Sequence, residues 1–96
     1  MSYRLTADAA LDLMQVYYEG LELFGVKQAE TYQDRLDQAF GAIAINPLAS
    51  QERAEINPPV RIRPVGAHII IYVVNLDGVL ILNIRHARED WQNSSA

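Results

Sequence analysis

Eight side chains after residue 60 of a 96-residue chain could engage another molecule through charge or ring stacking: Arg61, Arg63, His68, Tyr72, Asn83, Arg85, Arg88 and Trp91. Every cation among them is arginine, whose planar fork meets carboxylate or phosphate oxygens in pairs where a lysine ammonium acts as a point charge. His68 and Tyr72 fall two places apart on one face of a strand, so an acid-base pair working on a phosphodiester held by the arginines is chemically conceivable. No serine or cysteine nucleophile accompanies the histidines, and no carboxylate stands at metal-ligand spacing from either. We therefore assign no catalytic residue and expect neither a metal nor a cofactor. His86 reads as a strand-end histidine satisfied by hydrogen bonds.

Charge bounds what these arginines can do. The formal net charge is -4, which argues against affinity won by wholesale phosphate neutralisation and against direct sequence-specific binding of nucleic acid. The average hides a gradient: residues 1–59 hold nine acidic and four basic side chains, whereas residues 60–96 hold three and four. Half the residues are apolar and there is no cysteine, as suits one small domain in a reducing cytoplasm. The longest apolar run, Ile69 to Val74, is far too short to span a bilayer.

Positioning falls to an α+β arrangement. Tyr3 to Leu5 reads as a short strand, and Thr6 as the N-cap of a helix reaching about Phe24, with Gly25 closing it. Apolar residues cover more of this helix than one core-facing side requires, so Leu11, Met14 and Tyr18 are candidates for contact with a partner. A second helix from about Lys27 to Ile45 carries the stripe Ala29, Tyr32, Leu36, Phe40 and Ile43, and Asn46-Pro47 ends it. Leu48 to Pro59 reads as a loop. Then the period falls to two, giving strands Val60 to Val65, Ala67 to Asn75 and Val79 to His86, with Asp77-Gly78 as a tight turn. The predicted fold is an N-terminal strand followed by an antiparallel helix hairpin packed on one face of a mainly antiparallel sheet, in the order β-α-α-β-β-β. A single domain is expected over residues 1–92, with a disordered tail at 93–96.

A two-residue turn at Asp77-Gly78 would set Tyr72 opposite Asn83 and Ile70 opposite Arg85, and the first hairpin would set Arg63 opposite His68. One face then holds Val60, Ile62, Ile69, Ile71, Val73, Leu80, Leu82 and Ile84, and its near-pure hydrocarbon makes it the face expected to carry the helices. The other holds Arg61, Arg63, His68, Ile70, Tyr72, Val74, Ile81, Asn83 and Arg85, and is expected to lie open.

Local sequence adds a resemblance. Tyr3-Arg4-Leu5-Thr6 ahead of an Ala/Leu/Asp-rich helix, Ala39-Phe40 through Asn46-Pro47, and above all Val65-Gly66-Ala67-His68-Ile69-Ile70-Ile71-Tyr72, Asp77-Gly78-Val79 and Ile84-Arg85-His86-Ala87-Arg88-Glu89-Asp90-Trp91 resemble the RelE/ParE superfamily, its ParE branch in particular. Ala87 stands where that branch commonly has glycine. The resemblance implies a type II toxin that poisons DNA gyrase by binding and is neutralised by a cognate ParD-like antitoxin. On that reading the eight residues named first form the target-binding set, and Leu11, Met14 and Tyr18 form the antitoxin contact. The sister RelE branch cleaves mRNA on the ribosome, with basic residues and an aromatic or acid-base group on the open sheet face. The chain lacks the lysine-rich loop and C-terminal tyrosine of that branch, which leaves a ribosome-dependent mRNA interferase as the second reading. A non-toxic interaction module is the third.

Overall fold

A computed structural model describes residues 2–88. Strand β1 spans Tyr3–Leu5 and helix α1 spans Ala7–Phe24. Thr6 joins them through its side chain, whose oxygen accepts the Ala9 N–H at 3.0 Å and donates to the Leu82 carbonyl at 2.8 Å. One orphan N–H of the helix start is thereby satisfied while the helix is tied to the sheet. Gly25, with φ 89°, stands alone between α1 and helix α2, Val26–Ile45. A one-residue connection forces the two helices into a hairpin.

The remaining strands are β2 (Glu52–Arg53), β3 (Val60–Val65), β4 (His68–Asn75) and β5 (Gly78–His86), in the sheet order β1-β5-β4-β3-β2. Only β1 runs parallel to its neighbour, β5. The two-residue β2 lies within the stretch expected to be all loop. No helix among the described residues is long and apolar enough to cross a membrane.

Both hairpins turn one residue away from the sequence-based expectation. The β4–β5 loop is Leu76-Asp77, closed by an Asn75/Gly78 pair, and Asn75 Oδ1 accepts the Asp77 N–H at 2.9 Å. That asparagine turn draws the loop forward and frees Gly78 for another task. At φ 123° it leaves room for Ser2, and a Cβ there would sit 2.6 Å from the Ser2 carbonyl oxygen, which itself accepts the Val79 N–H at 3.0 Å. In the β3–β4 loop, Gly66 (φ 57°) and Ala67 separate a Val65/His68 pair. Arg61 consequently lies opposite Tyr72, and Arg63 opposite Ile70.

These shifts preserve which residues of β3 and β4 share a face, because the pairing moves by an even number of residues. The face that carries the helices is the reverse of the one expected. Ile70, Tyr72 and Ile81 are fully buried and pack with Leu36, Phe40 and Ile43 of α2 and with Ala9 and Val16 of α1. Ile62, Ile69, Val73, Leu80 and Leu82, on the opposite face, are only half-buried. Polar atoms on the helix side reach partners at the rim: the Tyr72 hydroxyl donates to the Pro47 carbonyl at 2.9 Å. A tyrosine so placed contributes its ring to the core without stranding its oxygen.

A β-bulge in β5 makes the second correction. Tyr72 pairs with Ile81 while Ile71 pairs with Asn83, so Leu82 is an extra residue and the alternation of faces inverts beyond it. Val79 and Ile81 share the helix face with Ile84 and His86, while Asn83 and Arg85 lie on the helix-free side, parted from the Arg61, Arg63, His68 and Tyr72 with which they were expected to share a face. α1 pins this irregularity. Asp12 Oδ2 accepts the Ile84 N–H at 2.9 Å and the Asn83 side-chain N–H at 3.2 Å, continuing the ladder past the end of β1.

Candidate functional site

The residues singled out from sequence do not converge on one open surface. Tyr72 is buried at 1% exposure and held by Pro47, so it is structural. Asn83 is engaged by Asp12. Arg61 donates to the Ser50 carbonyl, which fastens β3 to the preceding loop. Arg63 is half-buried beside α2, in a cleft it shares with Arg35. Arg85 and Arg88 are exposed, Arg85 on the helix-free side. Trp91 and the tail at 93–96 lie outside the described residues.

His68 meets a residue that sequence reading assigned only to an apolar stripe. Tyr32 of α2 places its hydroxyl oxygen 2.6 Å from His68 Nδ1, 3.0 Å from the Val65 carbonyl and 3.2 Å from the Ala67 N–H. The Ala67 N–H donates to the phenolic oxygen, and the Val65 carbonyl and His68 Nδ1 both lie within hydrogen-bond distance of the hydroxyl. Burial raises the Tyr32 pKa above its ordinary 10.0, opposed by the Ala67 hydrogen bond and then by the Arg35 charge. Nothing in the spacing of Tyr32 distinguishes it from Leu36 or Phe40; only the turn it meets does.

His86 stacks edge-on to His68, with ring centroids 5.3 Å apart. Both imidazoles and Tyr32 border a mostly apolar cleft of about 290 Å³, walled by Val16, Leu23, Phe24 and Ala29. Since His68 Nδ1 is committed to Tyr32, the imidazole cannot serve as a base through that nitrogen while the bond persists. The buried Tyr72 is likewise withdrawn from any proton relay at the surface. No group of three or more potential metal ligands occurs among the described residues.

The helix hairpin presents the clearest interaction surface. Leu11, Met14 and Tyr18, spaced as one helical face, are 62%, 53% and 58% exposed. A shallow groove beside them runs between the helices and is lined by Leu13, Met14, Tyr17, Tyr18 and Gln33. Leu23, Phe24 and Val26 extend the exposed apolar area around the hairpin tip. Single exposed apolar residues are ordinary, whereas a contiguous set along one helix is the kind of surface that a partner chain covers.

Known proteins give the same outline. The family described as "ParE toxin of type II toxin-antitoxin system, parDE" matches residues 3–91. Toxin ParE1 of Mycobacterium tuberculosis, in strains CDC 1551 / Oshkosh and ATCC 25618 / H37Rv, is 30% identical over 89 residues, covering 92% of this chain and 91% of the relative. Among solved structures, the chromosomal ParDE TA system from P. aeruginosa contains a chain that superimposes with a TM-score of 0.77 over 90% of this chain and 95% of its own length. At 21% identity that likeness speaks to the fold.

Proposed function

The chain belongs to the ParE toxin family of type II toxin-antitoxin systems, and from that membership we propose that it inhibits DNA gyrase by binding and is neutralised by direct contact with a cognate ParD-like antitoxin. The observation that carries this reading is the match over residues 3–91, which spans both the helix hairpin and the sheet. The exposed ridge of Leu11, Met14 and Tyr18 supports the antitoxin half of the reading, because an amphipathic segment could lay an apolar face along it. Toxin, antitoxin and gyrase then meet in the cytoplasm.

For the target, Arg85 and Arg88 are the exposed members of the original set and, with Trp91, form our candidate contact. Binding rather than catalysis is favoured by the side chains a ribonuclease would need. Tyr72 is buried and His68 Nδ1 faces Tyr32, so neither is poised on an open surface. The test is a gyrase supercoiling assay with folded protein in molar excess over enzyme. Inhibition that the antitoxin reverses is expected. Uninhibited supercoiling, together with discrete codon-position cuts in translated mRNA by primer extension, would move the protein to the ribonuclease reading.

A further inference from the structure

On the side of α2 away from α1, a cleft of about 370 Å³ opens against β3. Arg35 and Gln38 of α2 and Arg63 of β3 supply its polar groups, and Ala39, Ala42 and Val65 are among its apolar lining. The Arg35 guanidinium leans on the β3–β4 turn, where a Cβ at Gly66 would lie 3.2 Å from its Nη1. Among the described residues neither Arg35 nor Arg63 has a hydrogen bond or an ion pair. No carboxylate lines the cleft. Two guanidinium groups and a carboxamide on the lining of a cleft with an apolar floor are donors suited to one planar oxyanion.

The strand beside the cleft favours a peptide as the source of that oxyanion. β2 pairs only with Val60 and Arg61, so Ile62 to Val65 form a sheet edge with no strand beside them among the described residues. An extended segment can add there, with one acidic side chain resting its methylenes on the alanine floor. A nucleic-acid backbone fits less well, because its successive phosphates would also meet the exposed Glu30, Asp34 and Asp37 of α2.

We propose that the Arg35–Arg63 cleft is a carboxylate subsite that takes an acidic side chain of an extended antitoxin segment along the edge of β3, an inference that rests on the toxin-antitoxin reading above. The experiment measures the affinity of the full-length cognate antitoxin for the full chain and for the R35Q/R63Q and R35K/R63K double variants at several salt concentrations. R35Q/R63Q should bind about ten- to a hundredfold more weakly, with a shallower salt dependence. R35K/R63K should recover only part of the loss, since lysine restores charge without the fork. Thermal midpoints close to that of the unsubstituted chain verify that the variants fold. Unchanged affinity in R35Q/R63Q would overturn the subsite while leaving the toxin-antitoxin reading intact. Failure of the unsubstituted chain to bind antitoxin would overturn both. Loss of duplex DNA binding in R35Q/R63Q, with antitoxin binding unaffected, would reassign the pair to nucleic acid and overturn the proposal.

Discussion

The phenol of Tyr32 holds three groups together: the Val65 carbonyl, the Ala67 N–H and His68 Nδ1. Tyr32→Phe keeps the ring but removes all three contacts at a partly buried turn, which should cost about 1–3 kcal/mol in urea unfolding. Tyr32 also makes stability depend on pH. Its folded pKa is raised above 10.0, so its contribution is fully present below pH 10 and is lost as pH rises through the folded value, because the unfolded chain releases its proton first. The gap in stability between the unsubstituted chain and Tyr32→Phe should therefore narrow above pH 10. A constant gap from pH 8 to 11 would mean that the hydroxyl's burial is not coupled to folding. Asp12 offers a second single-residue test. Asp12→Ala leaves the Ile84 N–H unpartnered at the bulge and should cost about 1–3 kcal/mol, whereas Asp12→Asn retains an acceptor and should cost less. Equal losses would show that the charge, not the acceptor, secures the bulge. Neither role was legible in the sequence. Tyr32 stands in register with Leu36 and Phe40, and Asp12 recurs with Asp8, Gln15, Glu19 and Glu22 at spacings of three and four, as one narrow polar stripe down the first helix.

At the scale of elements, the sequence carried the helix hairpin and the three long strands almost to their ends. A 3.6-residue period, a Thr cap, a closing glycine and a change to period two are local signals, and each survives folding. Choosing the buried face required more. The side richer in hydrocarbon was expected to meet the helices, yet Tyr72 and His68 lie on the packed side because their polar ends reach Pro47 and Tyr32 at its margin. The β5 bulge left no mark either, since Ile81 to Ile84 contains neither glycine nor proline. Gly78 tests the observed register. With φ at 123° and the Ser2 oxygen 2.6 Å from the site of a Cβ, Gly78→Ala should destabilise by roughly 1–3 kcal/mol and raise amide exchange over Tyr3 to Leu5. The expected alternative, with Gly78 in the loop and clear of Ser2, predicts no change in β1 exchange. The apolar ridge of α1, expected from the sequence as a partner contact, is exposed: Leu11→Glu with Met14→Glu should leave the thermal midpoint nearly unchanged and weaken antitoxin binding by about a hundredfold. A large fall in midpoint would instead assign both residues to the core.

For the whole molecule, exposed apolar surface and a small core are linked. One face of the sheet carries both helices, while Leu11, Met14, Tyr18, Leu23, Phe24 and Val26 remain more than half exposed on the hairpin. A 96-residue chain buries a modest share of its unfolded surface, so a partner that covers this ridge adds stability that the chain cannot supply alone. Binding to the folded state alone stabilises by RT ln(1 + [L]/Kd), about 4 kcal/mol at a thousandfold excess over Kd. In a domain of this size, 1 kcal/mol moves the midpoint by roughly 4–8 °C. Saturating antitoxin should therefore raise the midpoint by roughly 15–30 °C, and the rise should grow with antitoxin concentration. The Leu11→Glu/Met14→Glu variant should show a much smaller rise at the same concentration. A midpoint that stays fixed for the unsubstituted chain, with folded antitoxin in thousandfold excess over the expected Kd, would mean that the antitoxin does not bind the folded chain, and an equal rise in the variant would mean that it binds away from the ridge.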